Sequence, residues 1–408
     1  MWHLRWKNKK IKLIVVVGVL VLFLIVLGFG VAKSAEYHEA KTIGSNVASF
    51  QKLSDRFAEL ASKKGAIYAF EVLKRASLPP QTDLHLLGHF VGDELYKQEG
   101  IDGIRFCTPD FRNACSHTIV IGTLAEFGEG ALPLIRDACK EAPGGSGAYT
   151  MCFHGLGHGV FAGYGYELSP TVDFCKQTGT ELYNQREYIE CFGGAIMELM
   201  GGGGHDPELI KQSRKKYITG PLAPCLSEEV PDELRSICLT YATPQMWQAA
   251  GIQLGAPDYK KFGDAFAFCE EIPEGEEEWR KACYSGFGKE FIPLAGQRDI
   301  RDISSHSNSD FSRAIEWCSY AGNSQGQEWC INEGLDSVFW GGENDPEASF
   351  RYCSVVGEVV DAEYQESCEN NLSENISFYI KNEEQKQNLC GKLPGSFQEQ
   401  CLQEPGRY

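Results

Sequence analysis

Cys191–Glu198 reads CFGGAIME, and 92 residues later Cys283–Glu290 reads CYSGFGKE. The strings share a cysteine, a glycine three residues on and a closing glutamate, and so mark an internal repeat. A second pair of strings repeats with them: GGGHDPE over 202–208 and GGENDPE over 341–347. Glycine suits the position just past a helix, aspartate the cap of the next and proline its first turn. Ser169-Pro170 opens a further helix in the same manner. The repeated text is therefore helix, turn, helix.

The cysteines carry the period through the chain. All sixteen lie between residues 107 and 401, in eight neighbouring pairs: Cys107/Cys115, Cys139/Cys152, Cys175/Cys191, Cys225/Cys238, Cys269/Cys283, Cys318/Cys330, Cys353/Cys368 and Cys390/Cys401. Partners are 8 to 16 residues apart, and consecutive pairs are separated by 22 to 35. No CxxC or CxxCH occurs, so zinc knuckles, thioredoxin-like motifs and c-type haem attachment find no support. An even, regularly paired set argues for disulfides made in an oxidising compartment. Spacing alone leaves the connectivity open, and neighbour pairing is its simplest solution. The predicted unit is a helix ending near its first cysteine, a short polar loop, and a second helix opening at the next cysteine. Closing a loop of about 15 residues stabilises by roughly 3 kcal/mol in the chain-entropy model. Such αα-hairpins stack into an α-solenoid, or a closed α/α ring where curvature is high. The predicted fold is all-α, because strand signals are sparse.

The N-terminus differs from everything after it. Arg5, Lys7, Lys9, Lys10 and Lys12 precede an apolar run from Leu13 to Ala32. A run of that length spans a bilayer, and its basic flank stays in the cytoplasm. A cleaved signal peptide competes through Ala32-Lys33-Ser34-Ala35, but its apolar region is ordinarily about 7–15 residues. The expected order is a cytoplasmic basic segment (1–12), a transmembrane signal anchor (13–32), a stalk (33–62) and an extracytoplasmic, periplasmic or extracellular, helical-repeat domain (63–408). The first 34 residues hold six of the 38 Lys and Arg and no acid, leaving 32 bases against 56 acids, a formal charge of −24. That balance disfavours nucleic acid and anionic lipid.

The Cys107–Cys115 spacing and the stretch from Cys152 to Cys175 resemble the cysteine-rich Sel1-like repeat proteins. That resemblance is architectural, spans about residues 100–400, and implies an αα-hairpin solenoid acting as an interaction scaffold. Most of the spacings within pairs are longer here than in that family. The C-x-H-G-x-G-H-G and C-x-x-G-x-x-M-E strings also look like those of uncharacterised membrane-anchored bacterial and archaeal proteins, which implies the repeat and nothing about activity.

Histidines divide the repeats into a His-bearing part (63–168) and a His-poor part (169–408). HLLGH over His85–His89 matches HGLGH over His154–His158, and His117 follows Cys115 by two residues as His154 follows Cys152. Two histidines four apart share one helical face, the usual way a helix presents imidazoles to a metal. The candidate ligands are His85, His89, His117, His154 and His158, and a nitrogen or nitrogen/oxygen site outside the cytoplasm suits Zn, Cu or Fe. Asp93 and Glu94 are candidate outer ligands or bases, and Glu126 reads as solvated. Packed helices lie about 8–10 Å apart, so a flat stack would hold the two HxxxH pairs too far apart to share an ion.

HExxH, GxSxG and phosphate-loop motifs are absent. The expected function is a membrane-anchored scaffold with a histidine metal site, binding a protein, peptide or envelope polymer, with Trp279, Trp317, Trp329 and Trp340 as aromatic contacts in the His-poor part. The alternatives are a metal-dependent hydrolase or oxidoreductase built on the histidines, and a purely structural repeat protein in which they pack.

Overall fold

A computed structural model describes residues 33–201, 207–253, 258–301, 303–341, 346–380 and 382–403. The basic segment 1–12 and the expected signal anchor 13–32 lie outside the described residues, as do most of the two glycine-to-DPE turns. No helix among the described residues is long and apolar enough to cross a membrane. All regular structure among them is helical, and the chain divides into two compact units at Pro79/Pro80.

The first unit contains α1 (33–42), α2 (Phe50–Lys64) and α3 (Ala66–Arg75). Ser49 caps α2 by accepting the Lys52 N–H. Gly65 joins α2 to α3 at φ +94°, a conformation that costs glycine nothing. Phe57 and Leu73 are fully buried in this small bundle. The Ser77 N–H donates to the Ala40 carbonyl at 2.8 Å.

The second unit opens with α4 (Leu84–Glu99), whose first turn is capped by the Asp83 carboxylate on the Leu86 N–H. A 3₁₀ turn over Gly100–Phe106 then leads through Cys107 to α5 (Ala114–Phe127). The remaining hairpins follow in order: α6 (Leu132–Cys139) with α7 (Gly145–Gly163), α8 (Leu168–Lys176) with α9 (Arg186–Gly201), and α10 (Pro207–Tyr217) with α11 (Asp232–Tyr241). Next come the short α12 (Thr243–Ala249) and α13 (Phe262–Phe266) ahead of α14 (Glu277–Ala295), then α15 (Asn308–Cys318) with α16 (Ser324–Gly341). The last hairpins are α17 (Pro346–Val359) with α18 (Ala362–Tyr379) and α19 (Glu383–Cys390) with α20 (Gly395–Gln403).

All eight disulfides join sequence neighbours, with Cα atoms 5.2 to 5.9 Å apart. They are Cys107–Cys115, Cys139–Cys152, Cys175–Cys191, Cys225–Cys238, Cys269–Cys283, Cys318–Cys330, Cys353–Cys368 and Cys390–Cys401. No free cysteine remains.

The placement of the cysteines on their helices corrects the predicted unit. Only Cys115 opens its helix. Cys152 and Cys191 lie one to two turns inside α7 and α9, and Cys238, Cys283, Cys330, Cys368 and Cys401 likewise sit inside α11, α14, α16, α18 and α20. The opening turn of each second helix forms part of the hairpin tip, and the residue that faces back across to the first helix comes a turn later. Two pairs depart at their first cysteine as well. Cys225, the partner of Cys238, lies in the loop beyond the end of α10 at Tyr217, because Pro221 and Pro224 stand in that stretch and proline cannot continue a helix. Cys353, the partner of Cys368, lies within α17, which runs on to Val359. There the staple ties the bodies of two long helices together and not their tips.

The second helices pack in series, α4 on α5, then α7, α9, α11, α14, α16 and α18. Glycines set their spacing. A Cβ on Gly157 would collide with the Cys191 carbonyl oxygen, and one on Gly194 with the His154 carbonyl oxygen, so α7 and α9 cross backbone against backbone. The same device recurs where Gly288 of α14 meets the Cys330 carbonyl of α16. Gly157 and Gly288 each lie five residues beyond the second cysteine of their hairpin, so the repeat carries its own helix-packing site.

The series bends back on itself. The Gln81 N–H, just before α4, donates to the Gln297 carbonyl just after α14. Arg112, just before α5, reaches Ser337 of α16 at 3.3 Å. This curvature separates the arrangement from a flat stack. α7 is enclosed by it, buried on all sides from Cys152 to Phe161. A helix apolar all round belongs in a core, yet this one carries two imidazoles.

Gly157→Ala should destabilise by about 1–3 kcal/mol, because the added methyl meets backbone that cannot rotate away. Gly163→Ala in the same helix meets nothing within 4 Å and should be neutral or stabilising by up to about 1 kcal/mol. Chemical denaturation of the two variants checks the contrast. Equal effects would contradict the packing role.

Candidate metal centre

All five histidines of the His-bearing repeats meet at one place. The His85 and His89 ring centroids are 4.7 Å apart, and His117 lies 5.5 Å from each. His117 is 5.4 Å from His154 and 5.8 Å from His158, and His89 is 5.8 Å from His158. The separation expected of a flat stack is overcome from both sides of α5. Gly88 of α4 lies against Ala114 and Phe111, and Gly155 of α7 lies against the His117 backbone. With no side chain at either crossing, α4 and α7 close on α5 and bring their HxxxH faces together.

Three of the rings offer nitrogens to a common point. One ligand atom each from His85, His117 and His158 fall within 4.8 Å of one another. His85 Nδ1 donates to the Phe111 carbonyl at 2.7 Å, which leaves its lone pair on Nε2. His158 Nδ1 donates to Glu198 Oε2 at 2.9 Å, with the same consequence, and its Nε2 is buried without a partner. Neither nitrogen of His117 has a partner, although the residue is fully buried. Metal-ligating histidines ordinarily give their other N–H to a carboxylate or backbone carbonyl, as His158 and His85 do. His89 Nε2 lies 3.1 Å from His85 Nε2 and extends the donor set towards a fourth nitrogen.

His154 is differently engaged. Its Nδ1 is 3.4 Å from Glu190 Oε2 and 3.5 Å from the Tyr241 hydroxyl, and its Nε2 is 3.3 Å from Met197 Sδ. Against the cost of its own burial, the Glu190 carboxyl is held below the ordinary range by Arg186 and His154. His154 thus closes the cluster on the α9 side.

Burial favours the neutral ring at His85, His117 and His154. Loss of solvation lowers His85 and His154 to about 4, and His117 falls well below the ordinary histidine value with the surrounding imidazoles adding to the effect. The neutral ring is the form that binds a metal.

A cavity of about 400 Å³ opens beside the cluster, and His85, His89 and His158 line it. Asp93 also lines it, whereas Glu94 pairs with Lys97 at 2.6 Å and Glu126 accepts the Tyr96 hydroxyl at 2.6 Å. The opposite repeats contribute Tyr241, Lys289 and Glu290 to the same cavity. Sequence reasoning passed over Glu198, Glu190, Met197 and Tyr241. The signal for Glu198 was in plain view, since it is the closing glutamate of the C-x-x-G-x-x-x-E string, and its counterpart Glu290 lines the same cavity.

No family model, curated protein or solved structure matches the chain.

Glu198→Gln removes the carboxylate that orients His158 while keeping its shape. Metal affinity should fall about 10- to 100-fold, read by competition with a chromophoric chelator; unchanged affinity would exclude the role. In metal-free protein, His85 and His154 should stay neutral through pH 6.5 and take up protons only near pH 4, as imidazole NMR resonances would report. Because the unfolded chain protonates them near about 6.5, their share of stability is complete above that pH and is lost as pH falls towards 4. Glu333 and Asp336, raised by burial to about 8 and about 6, act in the opposite sense: their share is complete below about pH 4 and is lost as pH rises towards those values.

Proposed function

We propose that this chain is an extracytoplasmic, membrane-anchored helical-repeat protein built around a mononuclear transition-metal centre, and that the centre acts as an enzyme site. His85, His117 and His158 are its ligands, with His89 adjacent. The observation that carries the reading is His117, fully buried with neither ring nitrogen satisfied. A buried polar group left without a partner costs about 1–3 kcal/mol, and His117 carries two such atoms at the focus of four other imidazoles.

Three neutral imidazoles form the donor set of a catalytic zinc site, which keeps its fourth position for water or substrate. Copper and iron share the preference for imidazole, and zinc is the ion that a purely nitrogen, three-ligand set suits best. Bound there, zinc supplies a Lewis acid and a water acidic enough to ionise near neutral pH. The chain's own residues do the rest: Glu198 and the Phe111 carbonyl fix two rings, and Asp93 offers a carboxylate in the adjoining cavity.

The cavity favours an enzyme over a passive scaffold, since a metal held only for stability has all its positions filled by protein. The extracytoplasmic placement rests on eight disulfides and on the apolar run 13–32 behind its basic flank.

Protein from cells supplied with zinc, copper and iron should carry about one equivalent of metal by elemental analysis. His117→Ala should abolish it, whereas His154→Ala, which removes a ring engaged by Glu190 and Met197, should retain most of it. Equal loss in both variants would refute the assigned ligand set, and metal-free wild type would refute the centre.

A further inference from the structure

Two cations that line the cavity are held by backbone that L-residues rarely adopt. Arg112 is the middle of three consecutive left-handed residues, Phe111, Arg112 and Asn113, at φ +59°, +55° and +62°. Arg298 follows Gln297, at φ +57° and +64°. Such strain survives where the surrounding structure enforces it, and it concentrates at ligand sites. The first strained turn also aims the Phe111 carbonyl at His85, so one local distortion serves both the metal ligand and the arginine.

Lys289 is the third cation of the cavity. Its ammonium lies 2.9 Å from Glu290 and 4.1 Å from the centre of the Tyr241 ring. Lys289, Arg112 and Arg298 all act on Glu290 and, against its burial, hold that carboxyl at about 2. Of the other acids lining the cavity, Asp83 caps α4 and Glu198 holds His158, while Asp93 lies one turn beyond His89. Trp247, Pro293, Leu294 and Ile300 add an apolar wall.

We propose that the cavity binds the phosphoryl group of a small phosphomonoester, with Arg112 and Arg298 as its anchors beside the metal. Glu290 pairs directly with Lys289, and among the described residues neither Arg112 nor Arg298 makes an ion pair with a carboxylate, so two guanidinium groups remain for a phosphoryl dianion where a carboxylate would match one. Guanidinium forks suit its oxygens in bidentate pairs, and the apolar wall suits an organic body. This inference rests on the metal reading above, two of whose proposed ligands, His85 and His158, line the same space.

The test is calorimetric titration of zinc-loaded, dialysed protein with phenyl phosphate, inorganic phosphate and benzoate. Phenyl phosphate should bind most tightly, and Arg298→Gln should weaken it about tenfold or more with zinc content and melting temperature unchanged; Arg112→Gln, which also gives up the Ser337 contact, should weaken binding to the zinc-loaded protein by as much. Inorganic phosphate binding as tightly as phenyl phosphate keeps the phosphoryl subsite and removes the organic body. Benzoate binding as tightly, or no binding to protein that holds its zinc, overturns the subsite and leaves the metal reading standing. Wild type that holds no zinc overturns the metal reading. If that protein still binds phenyl phosphate through Arg298, the subsite stands alone, and if it does not, both are overturned.

Discussion

The second unit depends on the crossing of α7 with the helices on either side of it. α7 is buried all round, so every neighbour must reach it closely, and it manages this by presenting glycine at each crossing. Gly155 accepts the His117 backbone, Gly157 accepts the Cys191 carbonyl, and Gly194 of α9 accepts the His154 carbonyl in return. Protein interiors pack at crystal-like density, and a single methyl at such a crossing has nowhere to go. Glycine is a poor helix former, and a helix with four of them from 155 to 163, and two more at 145 and 147, would be marginal in isolation. Its stability comes from the packing that the same glycines allow. The cost in propensity and the gain in approach are one choice of residue.

Disulfides fix the hairpins and glycines fix the distances between them. A staple of 8 to 16 residues restrains its own loop and says nothing about the next repeat. Curvature therefore has to come from the inter-helix contacts. It is completed by bonds between parts of the chain far apart in sequence, Gln81 to Gln297 and Arg112 to Ser337. Bending brings the cation-bearing repeats around α14 to face the histidine-bearing repeats around α7, and the cavity is the space they share.

This division explains what the sequence made legible. Pairing of Cys107 with Cys115 and of each later couple, the helical hairpins and the common register of His85/His89 with His154/His158 are local and periodic, and each could be read from spacing. Spacing was a poorer guide to where a cysteine sits on its helix. Cys225–Cys238 and Cys353–Cys368 are separated like the other pairs, yet one begins in a proline-bearing loop and the other within a helix. The five histidines could be read as one candidate set, but not the distance at which they meet, because that depends on crossings whose separation is set by what is missing from glycine. Glu94 and Asp93 looked equivalent as neighbours on α4, but only Asp93 lines the cavity, while Glu94 turns to Lys97. The left-handed turn at Phe111–Asn113 left no sequence mark, since none of its residues is glycine.

The repeat motif also shows how one scaffold position acquires different chemistry. Seven residues beyond the second cysteine lie Glu198, Glu290 and Ser337 in α9, α14 and α16. Glu198 accepts an imidazole N–H, Glu290 gathers three cations, and Ser337 receives Arg112. Two residues beyond it lie His117, His154, Gly193, Thr240 and Ser285. Where that position is small, the helix serves as a packing surface; where it is histidine, the same backbone geometry delivers a ring to the interior. Met197 and Lys289 make the same comparison six residues beyond the cysteine, one a thioether against His154 and the other an ammonium over Tyr241. In α7, α9 and α14, where a staple and a crossing glycine both hold the helix, a substitution at these positions changes the chemistry facing the interior without moving the frame. The two parts of the chain then differ in what they bring to the cavity: the His-bearing repeats supply imidazoles and Arg112, and the His-poor repeats supply Lys289, Glu290 and Arg298.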